Sequence, residues 1–165
     1  MGSLPIIGVM GPGDRATAED LQTAYHLGRR IAQAGWVLLT GGRNQGVMDA
    51  ASRGAKSAQG LTVGILPGSD RRDISTAIDI PILTDMGSAR NNINVLSSQV
   101  VIACGMGAGT ASEVALALKA GKPVILLNSS VESQAFFQSL ASRQVFVAVD
   151  VEGAIALVNL TLHSS

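Results

Sequence analysis

The stretch Val100–Leu127, VVIACGMGAGTASEVALALKAGKPVILL, decides the fold. It opens on an apolar run, turns through Gly105, Gly107 and Gly109, and continues into an Ala/Leu-rich segment. That segment ends at Gly121 and Pro123, and a second apolar run follows. Continuous apolar runs without alternation suit strands covered on both faces. Glycine and proline past an apolar segment suit the end of a helix. The stretch therefore reads as strand, turn, helix, strand, the unit of a parallel sheet. Its turn, G-M-G-A-G-T-x-x-E, ends in the carboxylate of Glu113. Either it cradles a negatively charged group, or it only starts a helix.

The same alternation runs through the rest of the chain. Leu4–Met10, Trp36–Thr40, Leu61–Leu66 and Val145–Val149 read as further buried strands. Ile78–Thr84 holds Pro81, which suits an edge strand or an extended connection. Helices are expected over residues 46–58, 88–98, 110–120, 133–142 and 152–160. Thr17-x-x-Asp20 resembles a capping box ahead of another, whose inner face is expected at Leu21, Tyr25, Gly28 and Ile31, with a stop at Gly35. No linker, repeat or low-complexity tract breaks this order. The expectation is one Rossmann-like domain over residues 1–165, an α/β open parallel sheet with helices on both faces.

Composition narrows the function. Twelve basic and 12 acidic residues give a formal net charge of zero. A nucleic acid or an acidic membrane as partner of the whole surface would need a basic field. Charged residues make up 15% of the chain, against about 25% in an average soluble domain. So little charge favours burial against further copies of the chain, and the segment Ala111–Gly121 is apolar on nearly every side. A homo-oligomer is therefore expected. The single Cys104 excludes an internal disulfide and a cysteine metal cluster, and its apolar setting suits a core residue. MGSLPI (residues 1–6) has neither the basic residues nor the apolar core of a signal peptide, and Ile6 breaks the myristoylation pattern. No apolar run approaches the roughly 20 residues of a membrane span. The expected compartment is the cytoplasm or a soluble organelle lumen.

In a sheet of this kind ligands bind beyond the carboxyl ends of the strands, where strand order reverses. Three glycine-rich turns fall at such ends: Gly11–Asp14, Gly41–Gly46 and Gly105–Thr110. Glycine lets backbone approach a ligand, and the helix that follows offers free N–H groups to an anion. A dinucleotide such as NAD is disfavoured. Neither G-x-G-x-x-G nor Walker A occurs, and the second strand ends in Thr40 and glycines where a ribose-binding acid belongs. Arg90 is a candidate phosphate ligand. Thr110-Ala-Ser-Glu113 reads as a capping box, a role that still leaves the Glu113 carboxylate at the mouth of the site.

Thr40–Ala55 (TGGRNQGVMDAASRGA) and Ala89–Val124, within a similarity spanning roughly residues 5–150, resemble the LONELY GUY-like proteins, once mislabelled lysine decarboxylases. The likeness is greatest to their short branch, which includes the molybdenum cofactor carrier proteins. The family signature is P-G-G-x-G-T-x-x-E with an Arg at fixed distance before it. Gly107, Gly109, Thr110, Glu113 and Arg90 match it. Gly105 and Met106 replace its Pro and first Gly, Asn91 replaces the Lys common in the hydrolases, and TGGRNQG replaces their YGGGSVG. The resemblance implies a carrier of molybdenum cofactor, a phosphorylated pterin, as bound ligand, with no structural metal and a homotetrameric assembly, a dimer of dimers. The expected binding residues are Gly11, Gly13, Gly41, Gly42, Gly46, Arg90, Gly107, Ala108, Gly109, Thr110 and Glu113. The alternative it implies is a nucleoside 5'-monophosphate phosphoribohydrolase that releases free base and ribose 5-phosphate, with Glu113 and Arg90 as its catalytic pair.

Overall fold

A computed structural model describes residues 3–163, so the first two residues of the MGSLPI stretch lie outside it. Seven strands form one sheet: β1 Ile6–Met10, β2 Val37–Thr40, β3 Thr62–Leu66, β4 Ile80–Leu83, β5 Val100–Cys104, β6 Val124–Leu127 and β7 Val145–Val147. Every pairing is parallel, and the order is β4-β3-β2-β1-β5-β6-β7. Among the described residues there are six α-helices, five between strands and the last after β7: α1 Ala18–Gln33, α2 Gly46–Ser57, α3 Asn91–Ser97, α4 Ala108–Lys119, α5 Val131–Leu140 and α6 Val151–His163. This is the Rossmann-like α/β sheet expected from the alternation.

Successive residues of each strand feed opposite faces. Ile7, Val9, Leu38, Ile102, Cys104 and Ile125 pack with α1, α2 and α6. Met10, Leu39, Val101, Ala103 and Leu126 pack with α3, α4 and α5. Both faces are covered, which is why β5 is buried at every position. Cys104 is wholly buried, and burial pushes its thiol pKa up to about 12, so it acts as a core residue. Pro81 sits in the edge strand β4, where its missing N–H breaks no inner ladder. No helix of the described residues is long and apolar enough to cross a membrane.

Two expectations change. The inner face of α1 is Ala24, Leu27, Gly28 and Ile31, while Leu21 and Tyr25 are exposed. The reason is the close crossing with α2, where a Cβ at Gly28 would strike the Ala51 carbonyl and one at Gly54 the Tyr25 carbonyl. Small residues make that contact, so the large apolar ones turn outward. The second change concerns α4. It begins at Ala108 with Gly107 as N-cap, so Thr110 is inside the helix and Thr110–Glu113 is not a capping box. The Thr17–Asp20 box on α1 does form, with both reciprocal bonds at 3.0 and 3.1 Å.

Candidate functional site

From β1 the chain winds outward through β2, β3 and β4, then returns to place β5 beside β1 and winds out the other way. The strand order reverses between β1 and β5, and the crevice beyond their carboxyl ends is the expected ligand position. A cavity of about 190 Å³ lies there, walled by Gly11 and Gly13 after β1, Gly41 and Arg43 after β2, and Arg90, Gly109 and Glu113. Six of the residues expected from sequence thus line one space. Gly42 and Gly46 do not line it. Gly42, at φ +77°, packs on Gly64, and Gly46, at φ +56°, lies against the carbonyls of Pro12 and Gly13. They shape the turn behind the cavity. Gly107, Ala108 and Thr110 form the N-cap and first turn of α4 beside it.

The helices that follow β1, β2 and β5 at this edge differ at their N-termini. The side chains of Thr17 and Asp20 cap α1. Neither α4, behind Gly107, nor α2, behind Gln45, has a side-chain cap. In α2 the Val47 amide is taken by the Pro12 carbonyl at 3.0 Å. The first amides of α4 have no intrahelical acceptor, and Ala108 and Gly109 are exposed. They are donors at the positive end of a helix, aligned for an anion.

Arg90 ends a 3₁₀ turn, Gly87–Arg90, that leads into α3. Its Nε donates to the Ile65 carbonyl at 2.9 Å and its Nη1 to Asn91 Oδ1. Gly41 makes room for it, because a Cβ there would lie 2.8 Å from Arg90 Nη2. Burial lowers the Arg90 pKa, and the Arg43 charge acts in the same direction, while Glu113 opposes both. An arginine does not give up its proton in a protein. Among the described residues Arg90 makes no ion pair with a carboxylate.

Glu113 is buried. Its Oε1 accepts from Asn94 Nδ2 at 2.9 Å. Burial raises its pKa to about 6, against the opposing pull of Asn94 and Arg90. No ion pair joins Glu113 to Arg90 among the described residues. Thr110 Oγ1 and Asn94 Oδ1 are buried without a hydrogen-bond partner.

Asp14, Arg43, Gln45, Met48 and Asn91 also line the cavity and were not expected from sequence. Arg43 and Gln45 lie inside the second glycine turn, the one local signal that pointed to them. That turn is pinned from outside: Asn44 N donates to the Asp73 carbonyl at 2.8 Å and Ser75 N to the Gly42 carbonyl at 3.0 Å. Arg43 also faces an adjoining hollow of about 400 Å³, lined by Pro67, Gly68 and Ile74 among others.

The SLOG cluster4 family model matches residues 4–155. The chain belongs to the SLOG cluster4 family. The LONELY GUY-like resemblance read from the glycine turns is borne out by this membership and by the structures this family member is similar to. The molybdenum cofactor binding protein of the phototrophic bacterium Rippkaea orientalis is 60% identical, covers 97% of this chain and 98% of its own, and superposes with a TM-score of 0.95. The Moco carrier protein of Chlamydomonas reinhardtii is 57% identical over 99% of this chain and 100% of its own, with a TM-score of 0.94. An uncharacterized protein of Archaeoglobus fulgidus is 48% identical over 126 residues, 76% of this chain and 81% of its own.

Proposed function

We propose that this SLOG cluster4 protein is a molybdenum cofactor carrier, a binding protein that holds the phosphorylated pterin at the β1/β5 switch point. The observation that carries the reading is the likeness to molybdenum cofactor binding and carrier proteins at 57–60% identity over nearly the whole chain. The site supports it in chemistry. The phosphate accepts from the amides at the start of α4, Gly107–Thr110, with Gly41 leaving room beside them, and Arg90 supplies the counter-charge. The cavity suits a phosphate, and Arg43 leads to the adjoining hollow, which gives the organic part of the ligand room. Among the described residues no group of three or more His, Cys, Asp or Glu is placed to hold a metal ion. The protein works in the cytoplasm as a homo-oligomer, a dimer of dimers in which copies cover the exposed side of α4 and the half-exposed Leu96 of α3.

One observation favours a second reading. Glu113 shares the cavity with Arg90 and has a pKa raised to about 6, near the range of a general acid or base. With Arg90 on a phosphate, that pair suits cleavage of a nucleoside 5'-monophosphate. One experiment separates the two. The protein is incubated with molybdenum cofactor and, separately, with AMP, and retained cofactor and released adenine are assayed. Retention without adenine release is expected, with retention weakened by Arg90→Ala. Adenine release by the wild type, abolished in Glu113→Gln, transfers the function to the hydrolase.

A further inference from the structure

Glu113 sits awkwardly in a phosphate site. Its Oε1 is held by Asn94, and Oε2 has no hydrogen-bond partner among the described residues. The residue lines the cavity itself. As a carboxylate it would stand against the bound phosphate with like charge, and its own burial weakens the screening of that repulsion by water. The charged groups facing it are Arg90 before α3, Arg43 after β2 and Asp14 after β1. Asn94 faces it from α3 and donates one bond. The two arginines can offset the phosphate, but they do not also neutralise Asp14 and Glu113.

We propose that Glu113 binds the ligand phosphate as a neutral carboxylic acid, donating an O–H hydrogen bond from Oε2 to a phosphate oxygen, so that binding takes up one proton at this residue. The inference rests on the phosphate site described above. The proton comes from solvent and ends on Oε2. No other bond forms or breaks, and release of the ligand returns the proton. Burial has already raised the carboxyl's pKa to about 6 in the free protein. A bound anion raises it further, because an added negative charge favours the protonated form. Glu113 then selects ligands whose anionic end accepts a hydrogen bond, and it makes retention depend on pH. Affinity is level below the free-protein value, falls as pH rises towards the ligand-bound value, and is level again beyond it.

Sulfate is a suitable probe because, unlike phosphate, it does not titrate near neutrality. Its dissociation constant is measured calorimetrically on the full chain at pH 5.5 to 8, in two buffers of different ionisation enthalpy. In the wild type, sulfate affinity should fall by about tenfold or more across this range, the limit for one linked proton being tenfold per pH unit. The buffer dependence of the heat should report net proton uptake above pH 6. Glu113→Gln keeps an N–H donor and no titration, so its affinity should be flat with pH and match the wild type at low pH. A wild type that binds sulfate equally at every pH, without proton uptake, overturns the inference and leaves the phosphate site standing. So does a Glu113→Gln protein that keeps the pH slope or binds weakly throughout. Failure to bind sulfate at any pH overturns the inference and the phosphate site together.

Discussion

Gly41→Ala tests whether Arg90 binds the ligand from the position it occupies. The added Cβ would lie 2.7 Å from Met48 Sδ and 2.8 Å from Arg90 Nη2. Both atoms are ends of flexible side chains, and Gly41 is not among the residues with positive φ. The backbone therefore tolerates alanine, and the side chains move instead. Alanine also restricts the unfolded chain, which stabilises by about 0.4–1 kcal/mol and offsets part of the strain. Stability should stay within about 1 kcal/mol of wild type. The guanidinium, however, must swing off the Ile65 carbonyl that its Nε holds at 2.9 Å. Losing one charge-assisted bond to the ligand costs about 1.5–3 kcal/mol, or about 10- to 150-fold in affinity. Urea unfolding gives the first quantity and calorimetric anion binding the second. Gly42→Ala is the contrast: its φ is +77° and its Cβ would lie 2.9 Å from the Gly64 Cα. Backbone blocks it there, so it should lose about 1–3 kcal/mol of stability. Wild-type affinity in Gly41→Ala, alongside weakened binding in Arg90→Ala, would refute the placement of the guanidinium.

Three further outcomes are expected. Thr17→Ala removes the hydroxyl half of the α1 capping box, leaving the backbone N–H of residue 17 on the Asp20 carboxylate, and should lower the unfolding free energy by about 1 kcal/mol, read from the urea midpoint, with anion affinity unchanged. For Glu113, a folded-state pKa of about 6 against an ordinary 4.5 means the folded protein holds the proton more tightly than the unfolded chain. Wild-type stability should therefore fall as pH rises from 4.5 to 6 and then level off. Glu113→Gln lacks that loss and should be more stable by up to about 2 kcal/mol at pH 7 and by little at pH 4; equal stability at both pH values would contradict the raised pKa. Light scattering at micromolar concentration should give a mass well above the 16.9 kDa of one chain, and a monomer mass would show that low charge and the α4 surface do not drive assembly.

Much of the fold was legible because parallel strands covered on both faces must be apolar throughout. Val100–Cys104 coincides with β5, and the other runs overshoot mainly at their ends. Leu4 and Leu61 are apolar but exposed, lying before the first ladder partners of β1 and β3. The face of α1 departs from its hydrophobic pattern for a different reason. Hydrophobicity marks Leu21 and Tyr25, but the approach of α2 is decided by what Gly28 and Gly54 lack. The Thr110–Glu113 box failed because two equally good starts existed. Gly107 takes the N-cap position by backbone geometry alone, so the helix begins before the threonine.

The candidate site was legible only as far as its glycines and its two charged residues. Arg90 and Glu113 come from neighbouring crossovers, and α3 and α4 pack on the same face of the sheet. Asn94, which holds Glu113, lies one helical turn beyond Arg90, a spacing that puts the two on one side of α3. Asp14 and Arg43 reach the cavity only because β1 lies between β2 and β5 in the sheet, an order that no local pattern encodes. The helices on the two sides of the switch point are capped differently. The helix after β1 uses Thr17 and Asp20 to satisfy its own first amides. The helix after β5 has only Gly107 at that position, and Thr110 Oγ1 remains without a partner. Asp20 stands beside Gly105, where a Cβ would lie 2.7 Å from its carboxylate. One negative group is thus spent closing α1, which leaves the amides at the start of α4, with Arg90 beside them, as the unfilled demand for an anion at the switch point.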